Sequence, residues 1–181
     1  VPTPRPRPGS EPGTLVAAED AVAPTITALL IAEGRAESVA DCAPGDLADL
    51  REHAAVLWVD VTGLADPGVI EAVGAAFGLH PLALEDVVNR HERAKTEPYG
   101  DNIFVVARMI DPGDPDSSEQ FSCFFGDGFV VTFQERPGDV FDAVRDRIRR
   151  NNGADRWQKA DYLAYALIDT VIDAYFPALE V

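Results

Sequence analysis

IFVVARMI, residues 103–110, is the stretch on which the fold turns. A continuous apolar run of this length, without alternation, implies a strand covered on both faces. Just downstream, residues 121–125 and Phe129–Gln134 form two more apolar runs around Asp127-Gly128, a dipeptide that favours a type I′ hairpin turn. Upstream, VLWVDVT at Val56–Thr62 alternates as a strand does, with Leu57, Val59 and Val61 on one face. Thr25–Ala32 and residues 14–17 are shorter strand candidates, and the polar, extended residues 93–99 suit a sheet edge.

Helical patterns fill the gaps. Residues 44–53, PGDLADLREH, put Leu47 and Leu50 on one side. Asp66 can cap a helix over Pro67–Phe77, with Val69, Ile70, Val73 and Phe77 inward and Gly78 as its stop. In LHPLALEDVVN, residues 79–89, His80 caps a helix opened by Pro81, because proline suits a first turn whose N–H would go unpaired. Leu82, Val87 and Val88 give that helix an apolar side. Residues 111–119, DPGDPDSSE, read as a turn-rich acidic insertion. A charged helix over 139–150 turns Val140, Phe141, Val144 and Ile148 inward, and 151–153 break it. From Lys159 a long helix runs to the last residue. Strands bracketed by helices, with at least one hairpin, predict an α/β fold: an α/β/α layered sandwich on a mixed sheet with a long C-terminal helix.

The expected organisation is a disordered proline-rich arm over 1–12, an α/β domain over 13–158, and a helix from 159 to 181 belonging to the same domain. An SH3-type ligand is the alternative to a disordered arm. The formal net charge of −16 argues against nucleic acid and against anionic membrane surfaces, and suits small cations or basic partners. Cys42 and Cys123 are too few for a disulfide framework and lack CxxC spacing, so they read as free thiols in a reducing compartment. No apolar leader opens the chain, and the apolar residues 162–179 are interrupted by Asp169, Asp173 and Pro177, so neither a signal peptide nor a membrane span is expected. A start at Val1 and an end at Val181 inside a helical pattern suggest a segment of a longer protein.

Two acidic features stand out. Glu85 and Asp86 are adjacent carboxylates on a short helix, a repulsive pair unless solvent or a cation screens it. On the last helix Asp161, Tyr165, Asp169 and Asp173 recur every four residues and share a face; Asp169 and Asp173 lie beyond the first turn, where the helix dipole favours no acid. Each reads either as a solvated polar face or as a source of oxygen ligands for a hard cation, since magnesium needs only one or two carboxylates plus retained water. A site joining Glu85 or Asp86 to Asp169 or Asp173 would fit that chemistry, provided the two helices meet. His80 and His91, eleven residues apart, match no zinc spacing, and His91 reads as a surface residue. Arg145, Arg147, Arg149 and Arg150 stand three or four residues from Asp142 and Asp146, which makes a salt-bridged face. Gly68, Gly74 and Gly78 form no phosphate-binding loop, and nothing nominates a nucleophile.

Four segments together, WVDVTGL (58–64), LHPLALEDVVN (79–89), VTFQERPGDVFDAVRDRIR (131–149) and ADYLAYALIDTVIDAYFPALE (160–180), resemble the cytoplasmic N-terminal domain of the CorA family of magnesium and cobalt channels. The resemblance runs from about Trp58 to the C-terminus and is weak before it. It implies an α/β/α domain of a pentameric, funnel-shaped channel of the inner (plasma) membrane, with this domain in the cytoplasm and its membrane domain beyond Val181. Regulatory Mg2+, or Co2+, is implied between neighbouring protomers. In that reading Asp86 matches the interfacial aspartate, Glu85 stands beside it, Asp169 matches the acidic position of the stalk-leading helix, and Asp173 lies one turn further. The partner aspartate of the adjoining subunit, the Gly-Met-Asn pore signature and both membrane helices fall outside these residues, so the chain as given is expected not to conduct ions. Electrostatic gating is the implied mechanism, with bound cation favouring the closed ring. A zinc-transporting relative of the same superfamily is the alternative, with a metal-dependent hydrolase using Glu85, Asp86 and Asp169, or a scaffold that binds nothing, behind it.

Overall fold

The computed structural model describes residues 9–111, 114–151 and 153–176. Seven strands form one sheet: β1 (Thr25–Ala32), β2 (Arg35–Val39), β3 (Val56–Thr62), β4 (Lys95–Tyr99), β5 (Asn102–Asp111), β6 (Asp114–Gly126) and β7 (Phe129–Gln134). Their order is β2-β1-β3-β7-β6-β5-β4, with β3 and β7 parallel and every other neighbouring pair antiparallel. The sheet is mixed, as the sequence pattern predicts.

Residues of β5 show why the continuous apolar run decides the fold. Phe104 and Val106 enter one core, while Val105 and Met109 enter the other, because successive side chains of a strand point to opposite faces. The first core is roofed by α1 (Leu47–Glu52), α2 (Pro67–Phe77) and α3 (Pro81–Val88), through Leu47, Ile70, Val73, Phe77, Leu84 and Val87. The second is roofed by α4 (Asp142–Arg150) and α5 (Ala160–Asp173), through Val144, Ile148, Leu163, Leu167 and Val171. The result is an α/β/α sandwich. Cys42 lies in the first core and Cys123 in the second, so the sheet separates the two thiols.

Local chemistry sets the helix ends. Asp66 accepts from the N–H groups of Gly68 and Val69, and Gly78 closes α2 in the left-handed conformation at φ 64°. His80 Nδ1 accepts from the Leu82 N–H at 3.2 Å, the cap expected ahead of Pro81.

Several expectations change. Residues 14–17 do not form a strand, whereas the mostly exposed RAESV of β2 does, by pairing with β1. The segment 44–53 opens as a 3₁₀ turn at Pro44–Asp46 before α1. The acidic insertion is largely strand, since β6 begins at Asp114 and continues the ladder with β5. Among the described residues Asp41 is the only non-glycine with positive φ, so the Asp127-Gly128 turn has one left-handed residue and is not type I′. Helix α4 starts at Asp142, not 139, because Asp139 instead accepts from the Phe141 N–H just ahead of it. Leu82 is exposed and Leu84 takes the inward position on α3. Helix α5 ends at Asp173 and is capped by Ala174, and most of the proline-rich arm and residues 177–181 lie outside the described residues. None of the described helices is long and apolar enough to cross a membrane.

Candidate metal-binding face

Helix α3 is held rigidly. Its Leu84 packs so closely on α2 that a Cβ at Gly74 would overlap it. At the other end, the buried Gln120 of β6 donates through Nε2 to the Asp86 carbonyl at 2.8 Å, and its Oε1 accepts from the Glu92 N–H at 3.1 Å. The backbone that carries the acidic pair is therefore fixed to the sheet.

Both carboxylates of the pair have partners. Glu85 Oε2 accepts from the Gly13 N–H at 2.9 Å, which ties the segment before β1 across α3. Asp86 Oδ2 accepts from Lys95 Nζ at 2.6 Å. Lys95 stands on the edge strand β4, as do Glu97 and Tyr99, whose side chains turn toward the α3 layer. Its ammonium also lies 3.1 Å from Glu97 Oε2 and 3.7 Å from Glu92 Oε2. Burial works against its charge, but hydrogen bonds to Asp86 and Glu97 and their negative charge outweigh it. The ammonium is thus held protonated well above the ordinary lysine range.

Asp169 and Asp173 are exposed on α5, together with Asp161 and Tyr165, so the predicted polar face is real. Helix α5 covers the second core and α3 the first, so the sheet stands between the two acidic features. Within one chain, therefore, Glu85 and Asp86 are not brought together with Asp169 or Asp173. Among the described residues no group of three or more histidine, cysteine, aspartate or glutamate side chains is placed to hold a metal ion. What the chain does offer is one or two hard oxygen donors at the α3 surface, enough for a magnesium ion that keeps most of its waters. The Asp86 carboxylate already pairs with the Lys95 ammonium, so a metal ion there would meet an internal cation. His91 is exposed, as expected.

A second polar cluster lies under α4, and the sequence pattern does not reveal it. Arg145 turns inward from the predicted salt-bridged face. Its Nη2 donates to Asp60 Oδ2 at 3.0 Å and Asp139 Oδ2 at 2.6 Å, and its guanidinium lies 5.0 Å over the Trp58 ring. Asp60 Oδ1 accepts from Thr132 Oγ1 at 2.6 Å and Gln134 Nε2 at 2.8 Å. Burial pushes the Asp60 carboxyl up from the usual range, against these donors. Asp139 is also raised by burial, but its bonds to Arg145 prevail and hold it below that range. The cluster lines a cavity of about 370 Å3 between α4 and the β1–β2 edge, on the side of the sheet opposite Asp86. On the outer face the Asp142–Arg145 and Asp146–Arg149 pairs form at 3.2 and 3.4 Å, while Arg150 donates to the Asp146 carbonyl rather than its carboxylate.

Comparison with known proteins assigns this architecture. The family model of the CorA-like Mg2+ transporter protein matches residues 53–181. The cobalt/magnesium transport protein CorA of Thermotoga maritima is 44% identical over 133 residues, covering 72% of this chain and 38% of that protein. A putative metal ion transporter of Bacillus subtilis is 32% identical over 123 residues, covering 66% of this chain and 37% of that protein. The chain therefore spans well under half the length of these relatives. In fold it is similar to the soluble domain of CorA from Methanocaldococcus jannaschii (TM-score 0.62, 11% identity, 86% of this chain and 58% of that one). It is equally similar to the ZntB cytoplasmic domain from Vibrio parahaemolyticus (TM-score 0.62, 14% identity, 86% and 62%). The chain, an α/β/α sandwich with an acidic pair fixed at its surface, belongs to the CorA-like Mg2+ transporter family.

Proposed function

We propose that this chain is the cytoplasmic, divalent-cation-sensing domain of a CorA-type magnesium and cobalt transporter of the plasma membrane, and is not itself an enzyme. One observation carries the reading. The two acidic features face outward from opposite layers of one sandwich, so they can share a cation only across a boundary between protomers. Glu85 and Asp86 would hold regulatory Mg2+ from the α3 side, and Asp169, with Asp173 one turn on, would supply the acidic face of a neighbour in a homo-oligomer, a pentamer by the resemblance. A bound cation supplies the charge that offsets carboxylate repulsion across that boundary. Asp86, anchored through its carbonyl to Gln120, keeps its position as the neighbour moves. Without compensation the facing acids repel, and the closed arrangement loses its preference, a population shift biased by ligand. The net charge of −16 supports such a ring, since acidic protomers repel unless cations intervene.

The likeness to the ZntB domain supports zinc transport as the second reading, because the two folds overlay this chain equally well. The test of the main reading is the cytoplasmic Mg2+ dependence of transport by the full-length protein with Asp86→Asn and Asp169→Asn.

A further inference from the structure

The cation reading leaves the role of Lys95, seated on Asp86, open. Its ammonium is 2.6 Å from Asp86 Oδ2, with Glu97 and Glu92 oxygens at 3.1 and 3.7 Å, and it lies 5.9 Å over the Phe104 ring. The side chain is only 24% exposed. This is not a surface lysine brushing an acid. It is an ammonium seated where carboxylate oxygens converge, contributed by a rigid edge strand paired along its length with β5.

We propose that Lys95 is a tethered competitor for the divalent cation at Asp86: it occupies the carboxylate when metal is scarce and must leave when metal binds. The inference rests on the reading of Asp86 as a cation ligand. Two positive ions cannot share one carboxylate oxygen closely without strong repulsion, so a cation that binds Asp86 displaces the ammonium. The lysine can go, because its charge sits at the end of a flexible four-carbon stem next to solvent. Glu92 and Glu97, with side chains 24% and 42% exposed, can accept from water once the ammonium moves, so neither acid is stranded in the core. The Gly13 N–H on Glu85 is a second internal donor on the same pair, which leaves the pair satisfied in the absence of metal. The consequence is a lower affinity than the carboxylates alone would give. The site then empties when the cation falls, as a sensor must, and does not stay filled.

The test is calorimetric titration of the full-length, assembled protein with MgCl2 at fixed ionic strength. Wild type is compared with Lys95→Met, Lys95→Gln, Lys95→Arg and Asp86→Asn. A competitor held by a charge-assisted hydrogen bond gives about tenfold or more tighter Mg2+ binding when removed, with Lys95→Arg close to wild type. Lys95→Gln keeps a polar head and carries the test if the methionine variant does not fold. Affinity unchanged or weakened in the neutral variants overturns the competitor role while Asp86 stands as a ligand. Identical titrations of wild type and Asp86→Asn overturn both readings together.

Discussion

Replacing Arg145 by leucine probes the interior of the sandwich most severely. The guanidinium is the only cation bonded to Asp60 among the described residues, and it also bonds Asp139; the Asp60 and Asp139 side chains are 8% and 11% exposed. Removing one partner of a buried ion pair costs about 3–5 kcal/mol, because an uncompensated charge stays behind. The remaining donors soften the loss, since Asp60 keeps Thr132 and Gln134, and Asp139 keeps the Phe141 N–H. Loss of the contact over Trp58 restores about 0.5–1 kcal/mol of the penalty. The expected destabilisation is therefore about 3–4 kcal/mol, a large fraction of the roughly 5–15 kcal/mol that holds a domain together. Urea denaturation followed by tryptophan fluorescence reads it as a midpoint lower by about 1–2 M. Adding Asp60→Asn to the leucine variant recovers part of the loss, because the stranded charge is gone. Acid acts in the same direction. The raised Asp60 carboxyl takes its proton more readily folded than unfolded, and the Asp139 stabilisation fades as pH falls, so the deficit shrinks on acidification. A loss below about 1 kcal/mol, or strictly additive effects of the two substitutions, would show that Arg145 does not compensate the buried Asp60 charge.

Two further predictions concern the sheet and its edge. Burial pushes the Glu119 carboxyl up to about 7 from 4.5, against the Arg136 and Glu135 N–H groups that favour its charged form. The folded state then keeps a proton that the unfolded chain releases, so this residue's contribution falls as pH rises from 4.5 to 7. Glu119→Gln removes the dependence, and denaturant titrations should show the variant gaining on wild type by up to about 3 kcal/mol across that window; a constant difference contradicts it. Gly153 sits at φ 68°, and a Cβ there would overlap the carbonyl oxygens of Ala32 and Arg35. Gly153→Ala should lower stability by more than the roughly 1–3 kcal/mol of left-handed strain alone, and a thermal midpoint equal to wild type would show that the β1–β2 corner yields freely.

Much of this molecule is legible in its residues, for definite reasons. β5, β6 and β7 are buried on both faces, so their apolar runs announce a covered sheet, and Asp66, Gly78 and His80 mark helix ends through side-chain or backbone chemistry that acts locally. β2 is hidden because an exposed edge strand needs no apolar pattern, only a ladder partner in β1. Arg145 is hidden for the opposite reason. Its i,i+3 partner Asp142 gives it a sufficient surface explanation, while its buried partner Asp60 is 85 residues away. Glu85 and Asp86 can be nominated from their adjacency. That they face away from Asp169 depends on which layer each helix joins, and that Lys95 sits on Asp86 depends on β4 pairing at the sheet edge. Neither has a local signature.

The proposed cation site joins Asp86 of one protomer to Asp169 of its neighbour. Transport by the full-length protein in vesicles, measured while Mg2+ on the cytoplasmic face is titrated, tests it most directly. Asp86→Asn and Asp169→Asn should each raise the Mg2+ concentration needed for half inhibition by about tenfold, the loss of one charged ligand. Their combination should add little, because either one already breaks the site. Inhibition at unchanged Mg2+ in both variants would contradict the claim.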